Sequence, residues 1–214
     1  MTDYSIDLEQ YILEHIDDEN EVLKELNRQT HIKMLQPRML SGHLQGQILK
    51  MLVQMINPQN VLEIGAFTGY SAISMAFGLT KEKAKIDTIE INDENEAFIQ
   101  SFIDKANLQD VIQLHIGSAI DIIPQLDKKF DLVFMDGDKR QYRDYYDLVF
   151  SKLNSGGYIL ADNVLWDGKV VQELQPNDTY TKEILEFNRM VKHDSRVEKV
   201  ILPFRDGITL IRKN

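Results

Sequence analysis

Two short segments gather hard oxygen ligands. Phe134-Met-Asp136-Gly-Asp138-Lys139 and Leu160-Ala-Asp162-Asn163 each end an apolar run in a carboxylate. Short apolar runs of this kind make buried parallel strands, and ligands of open parallel sheets sit beyond the carboxyl ends of the strands. Asp136, Asp162 and Asn163 are therefore expected along one edge of the sheet. Two carboxylates and an amide oxygen, with no His or Cys, suit Mg²⁺ first, with Mn²⁺ or Ca²⁺ as alternatives, and do not suit zinc or copper. Three protein ligands leave positions for water or substrate oxygens. Read singly, either Asp is a cap or turn residue; together, beside a lysine, they favour a metal. Lys139 has the wrong sign for a helix N-terminus. A nearby metal would lower its affinity for a proton and make it usable as a base, with Asp138 as a competing partner.

A second segment, Val61-Leu-Glu-Ile-Gly-Ala-Phe-Thr-Gly-Tyr70, turns from an apolar strand through Gly65 and Gly69 into a helical pattern at Ser71. Such a turn brings backbone close to a ligand and leaves free N–H groups at the helix start. Glu63 is a carboxylate in an apolar strand, which is costly without a partner. Glu90 ends the next strand, roughly 20–25 residues past the turn, the offset at which nucleotide-binding sheets place an acid on ribose hydroxyls. There is no third glycine and no Gly-x-Gly, so a ribose-bearing ligand without a pyrophosphate fits better than NAD. This pair of motifs resembles the cofactor site of S-adenosylmethionine-dependent methyltransferases.

The elements that must position these residues alternate. Strands are expected at 61–64, 86–91, 112–116, 131–135 and 158–162, with helices at 70–79, 93–106, 119–125, 141–153 and 179–192 between and after them. Regular βα alternation predicts a parallel sheet with helices on both faces. Strands 197–202 and 207–212 are joined only by Phe204-Arg-Asp-Gly207 and should pair as an antiparallel hairpin. Residues 5–35 read as helices. Ser5 is a candidate cap for the first, which places Leu8, Tyr11, Ile12 and His15 on one face; Val22, Leu23, Leu26, Gln29 and Thr30 mark the second. A helix over 45–56 should present Ile48, Leu49, Leu52, Val53 and Ile56, with Ser41 as a candidate cap and Asn57-Pro58 as its stop. The whole reads as one domain over 1–214, with 1–36 as an N-terminal helical extension.

With 214 residues, 43% hydrophobic and 27% charged, the chain can bury a full core. It contains no apolar run long enough to cross a membrane. The acidic, polar start is unlike a signal peptide, and the absence of cysteine suits the cytoplasm and excludes thiolate chemistry. A net charge of −10 argues against a generic nucleic-acid grip, and Lys128-Lys129 reads as a solvated loop. The five histidines are scattered, without zinc spacing.

Met39-Leu-Ser-Gly42 with Gly46-Gln47, Leu62 to Ser71, Met135 to Lys139 and Ala161-Asp-Asn-Val-Leu-Trp166 occur together and in order. Over residue 36 to the end the chain resembles the metal-dependent O-methyltransferases of the caffeoyl-CoA O-methyltransferase type, with catechol O-methyltransferase more distant. The resemblance implies a class I methyltransferase fold: a Rossmann-like, seven-stranded, mostly parallel sheet with a C-terminal antiparallel strand. It implies that Glu63, Gly65 and Ser71 contact the methionine part of S-adenosylmethionine and that Glu90 holds its ribose. Ser118 and Ala119 would border the adenine, Ser41 would close over the cofactor, and Asp136 would stand beside it. Asp136, Asp162 and Asn163 would bind the metal, Lys139 would be the general base, and Trp166 would line the acceptor pocket or simply pack. The acceptor would be a phenolic small molecule with vicinal hydroxyls, of catechol or hydroxycinnamoyl type, and the enzyme a homodimer. The alternative acceptor is a hydroxylated uridine of tRNA; a non-catalytic nucleotide-binding module is the third reading. Gly137 departs from the Ala of plant members, a change expected to matter little. Residues 167–180 show no clear match to a coenzyme-A-thioester pocket.

Overall fold

The computed structural model describes residues 6–214, so the Ser5 cap lies outside the described residues. Seven strands form one sheet: β1 (Asn60–Ile64), β2 (Lys85–Glu90), β3 (Ile112–Ile116), β4 (Phe130–Met135), β5 (Leu153–Asp162), β6 (Val197–Leu202) and β7 (Ile208–Lys213). Their order is β3-β2-β1-β4-β5-β7-β6. The pairs β1–β4, β2–β3 and β4–β5 are parallel, whereas β7 runs antiparallel to both β5 and β6. The mostly parallel sheet and its closing hairpin are as expected. The last strand, β7, inserts beside β5 and leaves β6 at the edge.

Eight α-helices accompany the strands among the described residues: α1 (Ile6–Glu14), α2 (Glu21–Lys33), α3 (Gly42–Ile56), α4 (Tyr70–Ala76), α5 (Glu96–Lys105), α6 (Ala119–Ile122), α7 (Tyr142–Lys152) and α8 (Thr179–His193). The helices expected at 70–79, 93–106 and 119–125 are shorter, as α4, α5 and α6, and three other boundaries also differ from the sequence expectation. β5 begins at Leu153, because Gly156 at φ +78° lets the chain bulge and keep pairing, with a register shift between Phe130 and Leu132. α7 is preceded by a 3₁₀ turn, Lys139–Gln141. α3 starts at Gly42, and Ser41 has helical backbone angles and makes no side-chain cap bond, so it is not a cap of the usual kind.

The described chain divides into two compact units. One comprises Val61–Gly65 and Ser118–Asn214. Here β1, β4 and β5 are buried on both faces, as central parallel strands are. Phe187 of α8 meets the rings of Tyr142 and Tyr146 of α7 edge-on, at 5.3 and 6.1 Å. The other comprises residues 6–60 and Ala66–Gly117. There α3 lies flush on α4: a Cβ on Gly46 would stand 2.7 Å from Ser74 Oγ. The buried line of α3 is Gln45, Gly46, Leu49 and Val53, while Ile48, Leu52 and Ile56 are only half-buried. Asn57 ends the helix in the left-handed region, as a C-terminal cap should. In α2 the residues Leu23, Leu26 and Thr30 are buried. The apolar face of α1 is not: Leu8 is 42% and Tyr11 57% exposed. Tyr11 stacks instead on His15 of its own helix.

Candidate active site

The strand order reverses where β4 joins β1, and there the unit of Ser118–Asn214 places its chemistry. Gly65 has φ +97°, and a Cβ there would meet the carbonyl oxygen of Asp136 at 2.4 Å. Only glycine fits, and the close approach ties the turn after β1 to the acidic end of β4; Asp136 N–H also donates to Ile64 O at 2.8 Å. Glu63, one residue in from Ile64, is fully buried.

Lys139 is 7% exposed, and its ammonium donates to Asp136 Oδ1 at 2.6 Å and to the Tyr142 hydroxyl at 2.6 Å. Tyr142 is buried and its hydroxyl reaches the carbonyl oxygens of Met135 (3.0 Å) and Asp162 (2.9 Å), so one phenol spans the ends of β4 and β5. Burial, with Asp136 and Asp162 nearby, pushes the Tyr142 phenol well above its ordinary range, and it remains a neutral phenol. Asp136 is pushed up to about 6, first by burial; Lys139 pulls it down and Asp162 pushes it further up. Asp138 does not compete for Lys139. It pairs with Arg140 at 2.6 Å and accepts the Arg140 N–H at 3.0 Å.

After β5 the chain is bent sharply. Asn163, Trp166 and Asp167 all have positive φ, and the Asn163 N–H turns back onto Asp162 Oδ1 at 2.7 Å. Non-glycine residues rarely adopt this region, and such strain concentrates at functional sites. Trp166 is half-buried and stacks on Tyr180 with centroids 5.8 Å apart, while the Arg140 guanidinium lies 5.1 Å over the Tyr180 ring. Trp166 is thus part of a stacked aromatic surface rather than interior packing.

The structure therefore brings together Asp136, Lys139 and Asp162, with Asn163 next in chain. Sequence reasoning missed three neighbours. Tyr142 lies three residues beyond Lys139 on the same helical turn, a spacing that could have signalled it. Asp206 is raised by burial, and Asp162 and Asp167 act in the same direction; Arg205 lowers Asp136. Both were read only as a hairpin connection. Antiparallel pairing of β7 with β5 returns that connection to the carboxyl end of β5, which was the available signal.

In the other unit, Glu90 is 6% exposed, and both carboxylate oxygens accept from backbone N–H groups, Phe67 to Oε2 at 2.7 Å and Asn92 to Oε1 at 2.9 Å among them. Burial raises its pKa against these hydrogen bonds. The Ile91 backbone N–H also hydrogen-bonds Glu90, and since a carboxylate accepts about four hydrogen bonds, Glu90 keeps capacity for a ligand hydroxyl. Gly69 precedes α4 at φ +85°, and Ser71 and Ser41 are buried. Tyr70 donates to Glu19 from the α1–α2 connection. In the first unit, Ser118 stands at the start of α6 without a side-chain cap bond, and Ala119 is buried.

A family model described as O-methyltransferase matches residues 13–214. The chain belongs to the O-methyltransferase family. It is 38% identical over 221 residues to a caffeoyl-CoA O-methyltransferase of Eucalyptus gunnii, covering 96% of this chain and 87% of the relative. With caffeoyl-CoA O-methyltransferase 5 of Nicotiana tabacum it shares 36% over 222 residues, covering 96% and 90%. Among solved structures, an O-methyltransferase from Bacillus cereus in complex with SAH matches with a TM-score of 0.91 and 27% identity over 97% of each chain. TomG of Streptomyces achromogenes, in complex with SAM, matches at 0.90 and 27%, covering 97% of this chain and 96% of its own. This O-methyltransferase is accordingly a S-adenosylmethionine-dependent enzyme of the caffeoyl-CoA O-methyltransferase kind with the class I methyltransferase fold.

The donor set also bears on a metal. Among the described residues no three His, Cys, Asp or Glu side chains converge on one point. Asp136 and Asp162 are a pair of carboxylates, with the Asn163 amide next in chain. Asp162 raises the proton affinity of Asp136, and two carboxylates around one ammonium carry a surplus of negative charge, so their chemistry fits a hard divalent cation.

Proposed function

We propose that this enzyme methylates one hydroxyl of a vicinal-hydroxyl aromatic small molecule, of catechol or hydroxycinnamoyl type, with Lys139 as general base. The observation that carries this reading is the buried Lys139, held at 2.6 Å from both Asp136 and the Tyr142 phenol. The relatives named for caffeoyl-CoA support the acceptor class.

S-adenosylmethionine supplies the methyl group and the leaving sulfide. Glu90 takes its ribose hydroxyls, Glu63, Gly65 and Ser71 its methionine part, and Ser118 and Ala119 its adenine; Ser41 and Asp136 are the further cofactor contacts. Mg²⁺, or Mn²⁺ or Ca²⁺ in its place, would be held by Asp136, Asp162 and Asn163 and would supply positive charge that orients and acidifies the acceptor. To act as base, Lys139 first releases its ammonium proton to solvent, and the neutral amine beside Asp136 and Tyr142 then accepts the acceptor's proton. The acceptor oxygen forms a bond to the methyl carbon as the carbon–sulfur bond breaks, and the proton stays on Lys139. Tyr142 holds the Lys139 nitrogen in place, and Trp166 with Tyr180 offers a flat face to an aromatic ring.

We also carry two coarser proposals. The exposed stripe of α1, with Ile32, Leu35 and Met39 in the same unit, gives a homodimer its surface; an elution volume matching one chain would sink it. A cytoplasmic location fits the lack of cysteine.

The test is methyl transfer from labelled S-adenosylmethionine to catechol, with Mg²⁺ and then with chelator. Metal-dependent product supports the whole reading. Product unaffected by chelator removes the metal, and no product with cofactor binding intact removes the acceptor class.

A further inference from the structure

Beside the acidic strand ends, the unit of Ser118–Asn214 carries a second concavity that methyl transfer does not use. A groove of about 480 Å³ opens between α8 and the β6–β7 hairpin, within the roughly 300–1,000 Å³ of small-molecule sites. None of Asp136, Lys139, Asp162, Asn163 or Trp166 lines it. Its apolar part is aliphatic: Leu185, Val191, Val200 and Ile201. Val200 and Ile201 are 50% and 44% exposed on the edge strand, where such residues are a liability unless something covers them.

Its rim is basic. Arg189, Lys192, His193 and Lys199 all line it, in a chain of net charge −10. Arg189 is matched by Glu186 at 2.8 Å. Lys199 is aimed by the carbonyls of Asp194 (2.8 Å) and Val197 (3.4 Å), which orient its ammonium without neutralising it. Lys192 makes no ion pair among the described residues. Thr209 also lines the groove, is only 4% exposed, and its hydroxyl has no hydrogen-bond partner. A buried hydroxyl left unmatched is costly, and native proteins rarely leave one without a use.

We propose that this groove binds a small molecule with an aliphatic body and a single carboxylate head. The body covers Val200 and Ile201, and the carboxylate accepts from Thr209 and pairs with Lys192 and Lys199. A second copy is the poorer occupant, because a two-fold contact would set this basic rim against itself.

The probe is dodecanoate, below its micelle concentration, titrated calorimetrically into the full chain, with dodecanol and acetate as controls. One dodecanoate per chain is expected, more tightly bound than dodecanol, with acetate too weak to detect. Lys192→Glu should weaken dodecanoate about tenfold or more and leave dodecanol unchanged. Thr209→Val should weaken dodecanoate several-fold without lowering Tm, since it deletes an unmatched hydroxyl. Both variants should methylate catechol as the parent does, so that failure here is separate from failure of the methyl-transfer reading. Equal binding of dodecanoate and dodecanol, or indifference to Lys192→Glu, overturns the proposal. So does absence of binding, whether the chain is monomeric or forms a dimer that Ile201→Glu dissociates; the dimer result would assign the groove to self-association.

Discussion

Glu90 and Asp136 each sit at the carboxyl end of a parallel strand, each largely removed from water, each with a raised pKa because of burial. They differ in what holds them. Both oxygens of Glu90 are gripped by backbone N–H groups, of Phe67 and Asn92, whose positions the fold fixes. Asp136 is held by the Lys139 side chain, which shares itself with a phenol. A backbone grip makes a fixed acceptor for neutral hydroxyls. A side-chain grip can be exchanged for another cation or for a proton. The first is built to bind and the second to change state.

The sharpest way to break that distinction is to remove the exchangeable partner. Lys139→Met should lower the rate of methyl transfer by roughly 10²–10⁴-fold and leave the dissociation constant for S-adenosylhomocysteine within about twofold, as single-turnover assays and calorimetry would report. Full turnover in this variant would remove Lys139 as the base. The complementary variant is Glu90→Gln, which keeps the shape and loses the charge. Charge-assisted hydrogen bonding to the ribose weakens, so cofactor affinity should fall about 10- to 100-fold while the rate at saturating cofactor stays close to the parent's. A large loss of saturated rate would mean that Glu90 does more than hold.

Acid should separate the corners more gently. The pKa of Asp136, about 6, lies above its ordinary value of 3.8. In the metal-free protein the protonated form stabilises the native state below the ordinary value, and this contribution is lost as pH rises through about 6. A divalent cation needs the ionised form. Mn²⁺ affinity should therefore fall about tenfold per pH unit below pH ~6 and level off above it. Glu90 is raised too, but its backbone donors favour the ionised form, so S-adenosylhomocysteine affinity should change less over the same range. Calorimetry at about pH 5 and about pH 7 checks both. Asp136→Asn should raise the neutral-pH Tm of the metal-free protein; a lower Tm would show that the Lys139 contact outweighs the burial cost.

The acids that close β2, β4 and β5 were legible because each ends an apolar run, and the sheet rule turns chain order into spatial order. Gly65 was legible as a turn glycine, but not its reason, the Asp136 carbonyl that a Cβ would meet at 2.4 Å, because that approach joins residues 71 positions apart. Local patterning put Leu8, Tyr11 and Ile12 on one face of α1, and the first two meet water: periodicity says which residues share a face and not whether anything covers it. Tyr142 and Asp206 were missed for opposite reasons. Tyr142 is buried and reads as helix core until its hydroxyl is traced to two carbonyls. Asp206 sits in a connection whose place depends on β7 pairing with β5 rather than standing at the edge.

The smallest expected effect probes the Asp136 corner alone. Gly137 stands between Asp136 and Asp138, where the resemblance to plant O-methyltransferases calls for Ala. A Cβ there would meet Ile64 Cγ2 and Tyr145 Cε2, both at 3.0 Å, and neither is backbone. The φ of Gly137 is not in the left-handed region, so the cost is crowding rather than backbone strain. Crowding of one methyl costs on the order of 1 kcal/mol, and replacing glycine recovers about 0.4–1 kcal/mol through the unfolded chain. Gly137→Ala should thus leave stability nearly unchanged. Methyl transfer should drop a few-fold as Tyr145 and Ile64 shift beside Asp136, with cofactor affinity untouched. If the rate is unchanged, the Asp136 corner tolerates small displacements and its exchangeable grip is forgiving. If cofactor affinity falls instead, the two corners are mechanically joined and the division between binding and changing state fails.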